Sequence, residues 1–142
     1  MGIDLTPEER FELFGDFDVA GHAVEGQARW GGSAAFRDSR RRTAGYSKED
    51  WRRVMADQGR VAVDLAAAMA NGVAADDPPA TDLAEANRSH ITTWFYDCSY
   101  EVHRALGDMY VADPRFTAHY EATAPGLARY VHDAIHANAG RA

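Results

Sequence analysis

SKEDWRRVMADQGRVAVDLAAAMANG, residues 47–72, decides the fold class. Ser47 followed three residues later by Asp50 has the form of a capping box, a hydroxyl for the open N–H groups of a first turn answered by a carboxylate that reaches back. Behind it Trp51, Val54, Met55, Gln58, Val61, Ala62, Leu65 and Met69 recur at spacings of three and four. That spacing makes one apolar stripe along a helix of about six turns. Gly72 supplies the residue that turns left-handed and stops it. A strand would need sustained alternation of period two, and neither this stretch nor the rest of the chain has it.

Outward from this helix the punctuation repeats. Thr6-Pro7-Glu8-Glu9 starts a helix with a hydroxyl, a first-turn proline and acids suited to the dipole. Asp18 caps a second helix to Trp30, stopped by Gly31-Gly32, and Ser33 a third to about residue 42. After the AADDPP loop a helix is predicted over 80–96, with Leu83, Ala86, Asn87, His90, Ile91 and Trp94 inside. Ser99 caps a helix to about Tyr110, and Asp113-Pro114 starts another carrying Phe116 and Tyr120. Pro125 opens the last, with Leu127, Tyr130, Val131, Ala134 and Ile135 inside and Gly140 beyond its end. The predicted fold is all-α.

With 142 residues the chain suits one domain, of a size that buries roughly 68–70% of its unfolded surface. Its net charge of −7 argues against holding DNA or RNA through this chain, because phosphate neutralisation drives such binding. The basic cluster of Arg37, Arg40, Arg41 and Arg42 sits beside acids and reads as a solvated helix face. No apolar run reaches the ~18 residues of a membrane span, and the acidic start MGIDLTPEERF is unlike a signal peptide. A single cysteine makes no internal disulfide and no metal-binding pair. A cytoplasmic protein is expected.

Seven of the twelve glycines fall in residues 1–46. Glycine inside a helix costs roughly 0.5–1 kcal/mol against alanine, and isolated helices below about 12–15 residues are marginal in water. Residues 1–46 are therefore expected to form a weakly ordered helical segment and residues 47–142 a stable helical body. The first segment still owns Phe11, Phe14, Phe17, Trp30 and Phe36, anchors that need something to pack against.

The chemistry concentrates in WFYDCSYEVHRALGDMY, residues 94–110. Cys98, the only thiol, precedes the Ser99 cap, where a helix dipole favours thiolate while Asp97 opposes it. It reads as a core thiol, as a ligand-contacting thiol, or as a nucleophile with His103, which would need an orienting group and an oxyanion site that no sequence feature supplies. His132 and His136 share a helix face at metal-ligand spacing, but without an HExxH-type partner a solvated flank explains them better. His90, between Ala86 and Trp94 on an apolar face, reads as a hydrogen-bonded core histidine; as a haem ligand it lacks a distal partner. Trp51, Trp94, Phe95, Tyr96, Tyr100, Tyr110, Phe116, Tyr120 and Tyr130 are too many for one small core. Tyrosine hydroxyls need partners, and a concave site with aromatic walls provides them.

The blocks GIDLTPEERFELFGDFD (2–18), RWG (29–31), YSKEDWRR (46–53), YDCSYEVHRALGDMYVADPRFT (96–117), APGLARY (124–130) and AIHANA (134–139) together resemble the TipAS antibiotic-binding domain family, nearly end to end. The resemblance implies the effector-binding domain of MerR-type activators, or a free-standing form that sequesters the drug, and the chain starts at Met1-Gly2 where the free-standing form would. It implies a globin-like helical fold without haem, whose N-terminal helices close as a mobile lid over a thiopeptide or related peptide antibiotic. It implies no cofactor, no metal and no catalytic residue, no membrane contact, and a DNA-binding half, where present, upstream of this chain. The expected ligand-binding residues are Trp30, Trp94, Tyr96 and Tyr100 for stacking, Asp97, Asn87 and His90 for orienting amides, Cys98 as a wall residue, and His103 and Tyr110 beside them. Family members that trap dehydroalanine covalently carry their thiol one turn beyond the Glu-x-His stretch, where this chain has Ala105. Non-covalent capture is expected, with each stacked ring adding roughly 0.5–1.5 kcal/mol against an ordering cost of about 2–5 kcal/mol for the lid.

Overall fold

The structure, a computed structural model, describes residues 34–141. Among the described residues there are six helices and no strand: α1 (Ala34–Thr43), α2 (Lys48–Ala70), α3 (Pro78–Trp94), α4 (Tyr100–Ala112), α5 (Pro114–Thr123) and α6 (Leu127–Arg141). The all-α expectation is met. Of residues 1–46, expected to form the lid, 1–33 with their expected helices and Trp30 lie outside the described residues, while 34–46 carry α1 and Tyr46.

The capping box at the start of α2 is built as its residues require. Ser47 Oγ accepts from Asp50 N at 3.1 Å, and Asp50 Oδ2 accepts from Ser47 N at 3.0 Å. One position before the cap, Tyr46 packs edge-on against Trp51, ring centroids 5.6 Å apart. This is the hydrophobic staple that often accompanies such a box. Gly72 closes α2 at φ +79°, as expected of a left-handed stop.

Several boundaries differ from the sequence reading. Helix α3 begins at Pro78, two residues early, because Asp77 O already accepts from Ala80 N and Thr81 N. It ends at Trp94, not Tyr96. Phe95 N and Tyr96 N both turn back onto Ile91 O, while the carbonyls of Thr92 and Trp94 are taken by side chains. Its buried face is Ala80, Thr81, Ala84, Asn87 and Ile91, with Ala86 exposed and Leu83, His90 and Trp94 half-buried. Helix α6 begins after Gly126, at φ +86°, not at Pro125. Its cap is supplied by Glu121 of α5, which accepts from Gly126 N at 2.8 Å and Ala128 N at 3.0 Å. Those two backbone bonds hold the Glu121 carboxyl below its usual range. The same helix runs through Gly140 to Arg141, whose guanidinium holds Asn138 and Asp82 at 2.9 Å.

The described residues group into two compact units. The first takes in residues 34–57 and 91–97, the second 58–90 and 98–141. Within the first, Trp51, Val54 and Ile91 are buried. The second holds a continuous core of Leu65, Ala80, Ala84, Tyr110, Tyr120, Leu127, Ala128, Val131, Ala134 and Ile135. Helices α4, α5 and α6 pack on one another there. Gly107 of α4 faces Ile135 of α6 so closely that an added Cβ would stand 3.4 Å from its side chain. A long residue at 107 would force the two helices apart.

Leu65 is 2% exposed and Val63, two residues away on the same helix, 58% exposed. Leu65→Ala is expected to destabilise the protein by about 2–5 kcal/mol and Val63→Ala by less than ~0.5 kcal/mol, read as the shift in urea midpoint at constant slope. Equal shifts would contradict this core.

Candidate functional site

The first unit gathers an aromatic group around the end of α3. Tyr46 donates its hydroxyl hydrogen bond to the Trp94 carbonyl and packs edge-on to the Trp94 ring, centroids 5.5 Å apart and planes at 88°. Trp51 continues the group to Phe95 at 6.1 Å. Arg53 lies over the Trp94 ring, its guanidinium carbon 5.6 Å from the centroid. Burial, the largest effect, raises the Tyr46 hydroxyl above its ordinary pKa, so it stays a donor at neutral pH.

Arg42 completes the arrangement. It donates to the Thr92 carbonyl at 2.7 Å and to Asp97 at 3.0 Å, and pairs with Asp38 at 2.9 Å. Carbonyls in a last helical turn have no partner within the helix. Arg42 and Tyr46 supply two of them. The basic cluster is thus not only a solvated face: Arg41 is exposed and pairs with Asp38, but Arg42 fastens α1 to the end of α3. Of the predicted site residues in this unit, Trp94 and Tyr96 are half-buried and Asp97 is exposed.

The second unit places the others. Arg88 chelates Glu85 through Nε at 3.1 Å and Nη2 at 2.6 Å. It donates through Nη1 to the Cys98 carbonyl at 2.7 Å and lies over the Tyr100 ring at 4.1 Å. Glu85 also accepts from the buried Asn138 at 2.9 Å. Its carboxyl is lowered to about 2, chiefly by the Arg88 hydrogen bond. Asn87 Oδ1 sits 2.7 Å from His103 Nε2, and both residues are buried. Burial holds the His103 imidazole down to about 4. It is neutral at pH 7, and Nε2 donates to the Asn87 oxygen.

Cys98 is 2% exposed. Burial pushes its thiol up to about 11, with Arg88 pulling the other way by less. The helix-start position that favours thiolate is overridden by desolvation, so the group is a thiol at neutral pH. Tyr110 is buried against Tyr120 and Phe116, at centroid distances of 5.1 and 5.9 Å, and its hydroxyl is raised to about 12 by burial. Tyr100 and His90 are half-buried, and Ala105 is exposed on α4.

The structure therefore brings Trp94 and Asp97 into one arrangement, and Asn87 with His103, and Cys98 with Tyr100, into another. Sequence reasoning missed Tyr46, Arg42 and Arg88. Tyr46 was findable as the staple position before Ser47; Arg42 and Arg88 act on carbonyls distant in sequence and left no local signal. It also missed Asp108, whose Oδ1 meets His132 Nε2 at 3.1 Å and His136 Nε2 at 2.8 Å. The two histidines are not merely a solvated flank. With Asp108 they form a group whose ligand atoms lie within 4.8 Å of one another.

Compared with known proteins, residues 22–138 match the model of the TipAS antibiotic-recognition domain. The chain is 49% identical over 141 residues, 99% of its length, to the HTH-type transcriptional activator TipA of Streptomyces coelicolor and of Streptomyces lividans. It covers 56% of those proteins, so it spans about half the length of the activators it matches. Among solved structures it resembles TipAS of Streptomyces lividans in complex with nosiheptide, with TM-score 0.92, 48% identity, 99% of this chain and 98% of that one. It also resembles the antibiotic-binding domain of a TipA-class multidrug resistance transcriptional regulator, with TM-score 0.60, 45% identity, 64% of this chain and 97% of that one.

The buried neutral His103 has a consequence for pH. Its folded pKa lies below the unfolded value of 6.5, so the unfolded state binds the proton more readily. Stability is full above pH 6.5 and falls as pH drops toward 4, by up to roughly 3 kcal/mol. Below pH 4.5 the depressed Glu85 adds a loss in the same direction. Urea unfolding at stepped pH should show this slope between 6.5 and 4, and His103→Gln should flatten it. A slope unchanged by that substitution would remove His103 from the account.

Proposed function

The chain belongs to the TipAS antibiotic-recognition domain family, and from that premise we propose that it binds and sequesters a thiopeptide-type or related peptide antibiotic without covalent attachment. The carrying observation is the arrangement at Trp94. Its backbone carbonyl and ring edge are held by Tyr46, while the segment 94–97 keeps partly open aromatic and acidic side chains. A ring fixed before the ligand arrives loses little rotamer freedom on binding, which favours affinity.

In this reading Trp94, Tyr96 and Tyr100 stack on azole rings, with Trp30 joining from the N-terminal segment. Asp97 and His90 take the polar groups of the drug. Asn87, His103, Cys98 and Tyr110 are buried and support the second unit from within. The protein turns nothing over. A buried thiol with raised pKa is a poor nucleophile, and the neutral His103 spends Nε2 on Asn87. These facts weigh against both covalent capture and a Cys98/His103 enzyme.

The activators that the chain matches are named for a helix-turn-helix, and DNA contact is assigned to that half rather than to this acidic chain. Kinship with transcription activators supports a cytoplasmic location. Among the described residues no helix is long and apolar enough to cross a membrane.

Calorimetric titration with nosiheptide should give a 1:1 complex. Trp94→Ala should weaken it by about 1–3 kcal/mol, roughly 5-fold to 150-fold, and Cys98→Ser should leave affinity within twofold of the parent, about 0.4 kcal/mol. Intact-protein mass after incubation should be that of the unmodified chain. A persistent adduct lost in Cys98→Ser would replace this mechanism with covalent capture, and absence of heat with nosiheptide and thiostrepton alike would remove receptor function.

A further inference from the structure

We propose that Asp108, His132 and His136 form a binding site for one borderline divalent cation of the zinc class, which clamps α4 to α6. His132 and His136 stand one turn apart on α6, their ring centroids 4.4 Å apart. Both Nε2 atoms point at the same oxygen, Asp108 Oδ1. Two imidazole nitrogens and one carboxylate oxygen are a donor set suited to Zn²⁺ and its neighbours, and poor for Ca²⁺ or Mg²⁺.

The spacing fits. Bonds of about 2.0–2.1 Å in a tetrahedral site place donor atoms about 3.3 Å apart. The two nitrogens lie 3.1 and 2.8 Å from the oxygen and all three donor atoms within 4.8 Å of one another, so side-chain movement alone brings them to an ion. Asp108 and both histidines are at least partly exposed, so the ion has an entry path and water completes its coordination.

The second observation is His132 Nδ1, 2.8 Å from Asp133 Oδ1. Both nitrogens of this ring therefore face carboxylate oxygens. A neutral imidazole carries one N–H and satisfies one of them, whereas a ring with a proton or a metal ion on its second nitrogen satisfies both. A cation on Nε2 resolves the conflict: Nδ1–H donates to Asp133, and the lone pair of Nε2 goes to the metal. A carboxylate behind a ligating histidine is the usual arrangement that fixes tautomer and ring orientation. Asp133 is itself steadied by Arg129 at 3.3 Å.

The backbone beneath is fixed as well. Gly107, next to Asp108, packs against Ile135, next to His136, at a distance that only a small residue allows. The helices thus meet where the donors project, and binding needs no rearrangement of the main chain. This site is independent of antibiotic capture. It gives the second unit a cross-helix staple that strengthens with available metal, since a ligand bound only by the folded state stabilises it.

The test is calorimetric titration of chelator-stripped full chain with ZnCl₂ at pH 7.5, with circular dichroism to verify folding of each variant. One ion per chain is expected, together with a Zn²⁺-dependent rise in melting temperature. His132→Gln and His136→Gln should each lose more than about 100-fold in affinity, and Asp133→Asn about 10–100-fold. His119→Gln, on an exposed residue of α5, should change nothing. Replacing Zn²⁺ with Co²⁺ should give visible absorption that the His136→Gln variant lacks. No stoichiometric binding would reduce the trio to an ion pair and overturn the proposal. Binding that survives both α6 variants would place the metal elsewhere and overturn it equally.

Discussion

Glu85 and Arg88 sit three residues apart on α3, and the polar interior of the second unit is organised around their ion pair. Arg88 reaches the Cys98 carbonyl and the Tyr100 ring, and Glu85 reaches Asn138 of α6. One charge pair thereby joins three parts of the chain. Matching lowers the cost of taking polar groups out of water. Here the guanidinium spends its donors on a carboxylate, a carbonyl and a phenol, while the carboxylate receives the guanidinium and an amide. Both side chains are partly exposed, so water would cover much of a charge left behind, and the loss on removing either falls chiefly on the hydrogen bonds to the Cys98 carbonyl and Asn138.

The first unit follows the same logic. Helix ends leave carbonyls without partners. At the end of α3 these are met by Arg42 and Tyr46 rather than by water. Because Tyr46 also staples Trp51 at the start of α2, a capping device doubles as the support of Trp94. Local folding chemistry and the support of the Trp94 ring are then a single set of contacts. The thiol is the counter-case. Its position before Ser99 looks activating, but burial outweighs both the helix start and Arg88, and its reactivity is lost.

The helices were legible because each carries its own signal. Ser47, Ser99 and Asp113 all cap as their residue types require, and Gly72 stops α2 in the left-handed region that glycine favours. The errors share one cause. Glu121 capping α6 from the helix before it, and Arg42 capping α3 from fifty residues away, are side chains supplied by another helix, and the capped segment does not contain them. On α3, Asn87 and Ile91 are buried as expected, but Ala80, Thr81 and Ala84 join them where Leu83, Ala86, His90 and Trp94 were expected, because packing partners and not spacing alone select the face. At the site the aromatic stretch was visible in composition. What distinguished Trp94 from the buried Tyr110 was not, since both are simply large rings until packing assigns one to a core and the other to a half-open surface. His132 and His136 were readable as a pair, and only folding brought Asp108 to them.

The central claim is that a preset aromatic surface around Trp94 receives a ring-rich antibiotic without bond formation. Indole resonances report on it directly, because the chain has three tryptophans, Trp30, Trp51 and Trp94. In ¹H–¹⁵N spectra recorded during titration with nosiheptide, the Trp94 indole signal, assigned through Trp94→Phe, should shift, reach a limit at one equivalent and return when the drug is removed. A Trp94 signal that stays in place while the rest of the chain responds, or one that never returns, would contradict the account.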